Sequence, residues 1–520
     1  MTRLSAIGLT SLTTATIALA VPRMALGQDD ARVRAAVHAY TQQHDVAIVA
    51  QLADFLAIPN LATDSVDIRR NAAWIVAMLQ RLGASARLLE LPGSPPAVFG
   101  ELRSAGAART VIFYAHYDGQ PVDTSQWTTA PWTPTLRARP GGAIIPLPTQ
   151  PGTVDGESRL YARSASDDKS PIVAFLSAID ALRAAGIPAS VNLKFFFEGE
   201  EEAGSPHLRD MLTRYRDLLA GDVWIFGDGP VHQSRRQQVV FGVRGTMGLE
   251  LTAYGPSRAL HSGHYGNWAP NPLVTMATFI ASMRDTDGRI LIDHFYDDVQ
   301  PITADERRAI AGIPVPDSAL RAELQLASTE ANDALLAERI MLPALNVRGI
   351  SGGNVGALAA NAIPTLARAS IDFRLVPKET PANVRALVEA HARKLGFFVV
   401  HDDPTREERL SHPRILKLEW ESGYPAQRAD MSAPVSRAVV RAVEMGTGDR
   451  VIVIPTFGGS AGLYHFDEVL HTPLISVPIV NHDNNQHAAN ENLRLKNLFD
   501  GIQVYAAIVA HLGHLWSVTP

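Results

Sequence analysis

The stretch Val191-Asn-Leu-Lys-Phe195-Phe-Phe-Glu198-Gly-Glu200-Glu201-Glu202-Ala-Gly-Ser205 decides the fold. An apolar run from Val191 to Phe197 has the character of a buried parallel strand. It stops at four carboxylates within five residues, with no Lys or Arg among them. Ligands of α/β sheets bind outside the carboxyl ends of the strands, where these groups fall. Crowding carboxylates there is costly unless a cation or a shared proton offsets the repulsion.

Two further strands end in the same way. Thr110-Val-Ile-Phe-Tyr-Ala-His116-Tyr-Asp118 closes on His-x-Asp, and Asp222-Val-Trp-Ile-Phe-Gly227-Asp228 closes on a carboxylate. Alternate residues of a strand share a face, so His116 and Asp118 emerge together. Between these strands, Ser166-Asp167-Asp168-Lys169-Ser170-Pro171 leads into a helix over about 171–185. Read alone, the Asp pair is a helix cap. The strand–helix alternation predicts a mostly parallel α/β sheet with helices on both faces.

At 520 residues the chain is too long for one core. The texture changes after Arg244-Gly245, where strands near 247–254, 343–349, 365–375 and 397–401 and helices at 271–283 and 380–395 predict a smaller α+β lid or dimerisation domain. The charged stretch 284–340 reads as an insertion with helices, and Trp127–Asp155 as a long ordered loop. The division expected is a signal peptide at 1–27, catalytic domain at 28–245 and 425–520, and inserted lid at 246–424.

The net charge of −6, with no basic block, argues against nucleic acid as a partner. Cysteine is absent, which excludes thiolate ligands and a cysteine nucleophile. Arg3 followed by the apolar, Thr-rich run Leu4–Val21, and Ala25-Leu-Gly27 before Gln28, read as a secretory signal peptide. The expectation is a periplasmic or secreted protein with no membrane insertion after processing.

A pair of divalent ions about 3.5–4 Å apart needs a bridging carboxylate and terminal His or carboxylate ligands. His116, Asp167, Glu202, Asp228 and His487 supply three ligands to each ion if Asp167 bridges. Asp118 then holds the His116 imidazole, and Glu201, next to a ligand, is placed to take a proton from an activated water. The sequence itself does not choose between His482 and His487. A competing motif, Gly458-Gly-Ser460-Ala-Gly462, matches the nucleophile elbow of serine hydrolases, with Asp483 and His487 following in order. Asp and His four residues apart suit such a triad poorly, and it leaves the carboxylates without a purpose. A binding protein without catalysis on the same scaffold is the remaining reading.

Taken together, Ala115-His116-Tyr-Asp118-Gly119, Ser166-Asp167-Asp168-Lys169, Glu198–Ser205, Gly227-Asp228, His261-Ser-Gly263, Phe373-Arg374-Leu-Val-Pro377 and His487-x-x-Asn490-Glu491 resemble the dinuclear-zinc exopeptidase and deacylase family. That family includes carnosinases, bacterial dipeptidases, aminoacylases and succinyl-diaminopimelate desuccinylase, and the dipeptidase branch is the nearest. The resemblance implies His116, Asp167 and Asp228 on one zinc, and Glu202, His487 and the shared Asp167 on the other. It prefers His487 over His482, makes Glu201 the general base, and suggests a cis peptide after Asp167. It places His261 in the lid, where it polarises the scissile carbonyl, sometimes in the site of the other subunit. It gives Arg374 to the substrate carboxylate and Ser460 to the substrate pocket. The implied cofactor is two divalent ions, zinc first with cobalt or manganese as alternates. The implied assembly is a homodimer, and the substrate a small peptide or, alternatively, an N-acyl amino acid. Asp168 stands where Asn is frequent, and Ser170 where Gly is frequent.

Overall fold

The structure, a computed structural model, describes residues 23–314, 317–332 and 334–516. The expected signal segment lies outside these, apart from the backbone of 23–27, which the helix Arg23–Leu56 includes.

The main sheet has eight strands in the order Ser85–Leu89, Ala97–Leu102, Asn192–Glu198, Thr110–His116, Val223–Phe226, Leu474–Ser476, Gln238–Val240 and Ile452–Ile454. The third to sixth of these run parallel, and the first two pair antiparallel with their neighbours. The Phe195-Phe-Phe197 triplet shows why the sheet is covered twice. Phe195 and Phe197 join Phe113, Val223 and Ile225 in a core with the helices Lys169–Ala184 and Leu495–Leu515. Phe196 turns the other way, onto Tyr114, Trp224, Phe226 and Phe466.

The lid sheet orders Ala344–Ser351, Leu366–Leu375, Gly245–Tyr254, Ile415–Trp420 and Phe398–Val400, all antiparallel but the last pair. Met247, Leu249, Leu251 and Ala253 alternate into a separate core with the helices Pro272–Met283 and Pro381–Lys394. The insertion forms short helices, of which Ala304–Ala311 packs on Ile452–Ile454 and covers that edge of the main sheet.

Three expectations need correction. The helix near 206–220 is the shorter Leu208–Arg214. The loop 127–155 contains a hairpin, Thr135–Arg137 with Ile144–Ile145, joined to Arg159–Tyr161 and Asn492–Arg494 as a four-stranded sheet. Its strands are two or three residues long, too short for alternation to register among Pro and Gly. Asp168 occupies the cap position of Lys169–Ala184 but makes no cap hydrogen bond; its carboxylate accepts from the His116 backbone N–H at 3.3 Å.

Candidate metal centre

Parallel register brings the polar strand ends together. His116 pairs with Glu198, and Tyr114 pairs with Phe226, so Asp228 comes level with His116 two residues on. Asp167 reaches the same edge from the start of its helix, after a cis peptide bond to Asp168. Two groups of ligand atoms result, each within 4.8 Å: His116, Asp167 and Asp228, and Asp167, Glu202 and His487. Asp167 is shared. Its Oδ1 lies 3.0 Å from His116 Nε2 and its Oδ2 lies 3.1 Å from His487 Nε2. His487 Nε2 is also 3.4 Å from Glu202 Oε2.

The surrounding residues fix these groups. Asp118 is fully buried and accepts from the backbone N–H groups of Glu201 and Glu202 at 3.1 and 3.0 Å. Its carboxylate is 3.4 Å from His116 Nδ1, so one side chain orients an imidazole and the acidic turn together. Tyr114 donates to Glu198 at 2.7 Å, and Glu200 accepts from the backbone and ring of His207, both at 2.9 Å. Lys169, fully buried, donates to the carbonyls of Phe55 and Ile58 at 2.9 Å each and anchors the turn that carries Asp167.

Sequence reasoning missed three participants. Glu491, fully buried, accepts from Arg163 Nη1 at 2.8 Å and from the backbone N–H groups of Ser164, Ser166 and Asp167 at 2.9 Å each. It thereby ties the Asp167 loop to the segment that carries His487. Gln120 donates to Glu202 at 2.7 Å, and Gln486 reaches Asp167 at 3.5 Å. The signal for Glu491 was its place in the His-x-x-Asn-Glu motif; the glutamines carried none. His487 itself sits at φ 60°, a left-handed backbone that among non-glycine residues favours Asn, Asp and His.

The electrostatics are those of a cation site. Burial, with Asp167 adding to it, pushes Glu202 up to about 7, and the same two causes push Asp228 up to about 6. Burial raises Glu201 well above the ordinary carboxyl range; His116 opposes this and Asp228, Glu198 and Glu202 add to it. Burial also acts to raise Asp167, but hydrogen bonds from His116 and His487 outweigh it and hold this carboxyl below its usual range. The hydrogen bond to Asp167 lifts His487 to about 9. Hard oxygen and imidazole donors, sharing one carboxylate, fit two divalent ions.

The lid contributes unevenly. Arg374 donates from Nη1 to Ser460 Oγ at 2.8 Å and from Nε to Asp372 at 3.1 Å, and the Tyr424 hydroxyl is within electrostatic reach of both Glu201 and Arg374. His261 is exposed; its Nδ1 accepts from the Gly263 N–H at 3.0 Å, its ring lies 4.5 Å from that of His264, and it belongs to neither ligand group. His482 belongs to neither ligand group and lines a separate cavity. The serine triad does not assemble, since Ser460 bonds Arg374, Asp483 pairs with Arg159 and Arg494, and His487 faces Asp167.

Comparison with known proteins agrees with this geometry. Human Beta-Ala-His dipeptidase is 26% identical over 501 residues, spanning 92% of this chain and 92% of the human protein. Cys-Gly metallodipeptidase dug1 of Schizosaccharomyces pombe is 27% identical over 495 residues, spanning 91% and 96%. The M20 family metallo-carboxypeptidase Sso-CP2 of Sulfolobus solfataricus superposes with a TM-score of 0.69 at 27% identity, over 90% of this chain and 99% of that one. The family model described as Peptidase family M20/M25/M40 matches residues 112–511. With both ligand groups inside the matched span, the chain belongs to peptidase family M20/M25/M40.

Proposed function

We propose that the protein is a two-metal dipeptidase that cleaves the peptide bond next to a free carboxylate. The observation that carries this is Asp167, with one oxygen toward His116 and the other toward His487, inside two ligand groups beside Glu201. Similarity to a Beta-Ala-His dipeptidase and a Cys-Gly metallodipeptidase supports a dipeptide substrate.

His116, Asp167 and Asp228 hold one divalent ion, and Asp167, Glu202 and His487 the other. Such ions, zinc first with cobalt or manganese as alternates, supply Lewis-acid polarisation of the scissile carbonyl and of a water molecule. Glu201 takes a proton from the attacking water and passes it to the leaving amine. Asp118 keeps Glu201 in place through the backbone of the acidic turn. Arg374, steadied by Asp372 and Ser460, binds the substrate carboxylate as a planar two-donor fork. His261 donates to the developing oxyanion from a second copy of the chain. An exposed position for this residue, and exposed Trp268, Ile350, Val355 and Leu358 on the lid, favour a homodimer. The reading includes export through residues 1–27, which the N-terminal sequence of the mature chain tests.

Glu201→Ala tests the chemistry. The variant is expected to keep its two ions per chain while dipeptide hydrolysis falls by about 10²–10⁴. Hydrolysis that survives the substitution would refute the role of Glu201. Activity on N-acyl amino acids with none on dipeptides would move the enzyme to the deacylase branch.

A further inference from the structure

Between the lid-insertion helix Leu336–Ile340 and the segment Ile454–Gly458 lies a cavity of about 390 Å³. That volume is within the roughly 300–1,000 Å³ of small-ligand sites. Leu336, Ile340, Ile454, Phe457 and Pro230 form its apolar part, beside the polar Gln233 and Gln238. Two of its lining residues lie close along the chain to residues of the proposed site. Pro230 follows ligand Asp228 by two residues, and the residue between them, Gly229, brings the backbone against the Phe457 ring; a Cβ there would lie 3.6 Å from Phe457 Cε2. Gly458 precedes Ser460 by two residues, and Ser460 holds Arg374.

Thr456 lines the cavity, is 7% exposed, and its hydroxyl has no hydrogen-bond partner among the described residues. The titratable residues that also line the cavity, His232, Asp317 and His482, are half-buried or exposed and keep access to water.

We infer that this cavity receives a large apolar side chain of the peptide substrate, so the enzyme prefers Leu-, Phe- or Tyr-containing dipeptides over those with small or acidic side chains. The inference rests on the dipeptidase reading and adds the substrate class. Leu336, Ile340, Ile454 and Phe457 give such a side chain apolar contacts that a small or acidic one does not use. The lid insertion supplies Leu336 and Ile340, so a segment remote from the ligands in sequence sets the selectivity.

The test uses the full-length, metal-loaded protein and two series, X-Ala and Ala-X, with X as Ala, Leu, Phe, Tyr or Asp. In one series kcat/KM is expected to rise at least about tenfold from Ala to Leu or Phe, the discrimination an apolar pocket gives. Leu336→Trp and Ile340→Trp fill the cavity and are expected to cut that ratio at least about fivefold, with metal content and circular dichroism unchanged. Leu336 is 48% exposed, so its replacement does not threaten folding. Equal values across both series, or a ratio that neither variant moves, overturns the pocket and leaves the dipeptidase reading standing. Hydrolysis of no member of either series overturns both.

Discussion

At the scale of single residues, the acidic turn has little meaning apart from the groups that hold it. Glu201 and Glu202 take their positions from Asp118, and Asp167 takes its position from Glu491. The Glu491 case is open to a clean test because its two oxygens divide the work. Oε2 takes Arg163 and Ser164, and Oε1 takes Ser166 and Asp167. Glu491→Gln keeps the shape but turns one acceptor into a donor, so one pair of N–H groups loses its partner, at about 1–3 kcal/mol per buried orphan. Asp167 then loses its fixed aim at both ions. A chelator competition is expected to show metal affinity weakened about 10–100-fold, as for other residues that orient ligands. Unchanged affinity and thermal stability would remove Glu491 from the site.

Among elements, those with a continuous apolar run or helical period were legible, and the hairpin of the 127–155 loop was not. Phe195, Phe196 and Phe197 announce a strand buried on both faces, and the strand ends His116 and Asp228 announce the site edge. The hairpin at Thr135–Ile145 gave no such signal, because pairing with Arg159–Tyr161, far along the chain, is what makes its few residues extended. The Asp167-Asp168 pair misled in a specific way. Local rules make it a cap, whereas the cluster across the sheet edge claims Asp167 and the His116 backbone claims Asp168. A buried acid in the lid shows another element under constraint. Glu379 is 2% exposed in the turn between Leu366–Leu375 and Pro381–Lys394, and accepts from the Val376 N–H at 2.8 Å. Burial pushes it from 4.5 to about 7, and the Val376 hydrogen bond offsets this only in part. The folded chain therefore holds this proton between those two values while the unfolded chain has released it. Stability contributed by the neutral form is full below pH 4.5 and falls as pH rises through 7. Glu379→Gln is expected to remove that slope and to stabilise the protein above pH 7 by about 3 kcal/mol at most, read from denaturant midpoints across pH. A slope unchanged by the substitution would show that another group carries it.

At the scale of the whole molecule, the two sheets divide the labour: the parallel one gathers ligands, and the antiparallel one brings Arg374 to Ser460. Sequence reading reached both, since each leaves a strand-end signature, but it could not say how lid and ligands meet. His261 is where that gap matters. Its side chain is exposed and, among the described residues, hydrogen-bonded to neighbouring Gly263, whereas Arg374 of the same lid already touches the catalytic domain at Ser460. If His261 serves the site of a second copy, inactive chains must be able to rescue one another. A chain with Glu201→Ala retains His261, and a chain with His261→Ala retains Glu201. In a mixed dimer the site on the second chain receives an intact Glu201 from itself and an intact His261 from its partner. Its other site lacks both. Random mixing puts half of the dimers in that state, so co-expression is expected to restore about a quarter of wild-type kcat, with KM unchanged, from two variants that are each nearly inactive. A histidine that acts within its own chain gives no such rescue, because no site would then hold both groups. Size-exclusion measurements on the same mixtures complete the argument: rescue must track the dimer fraction on dilution, and a monomer that keeps full activity would rule out service by His261 in a partner's site.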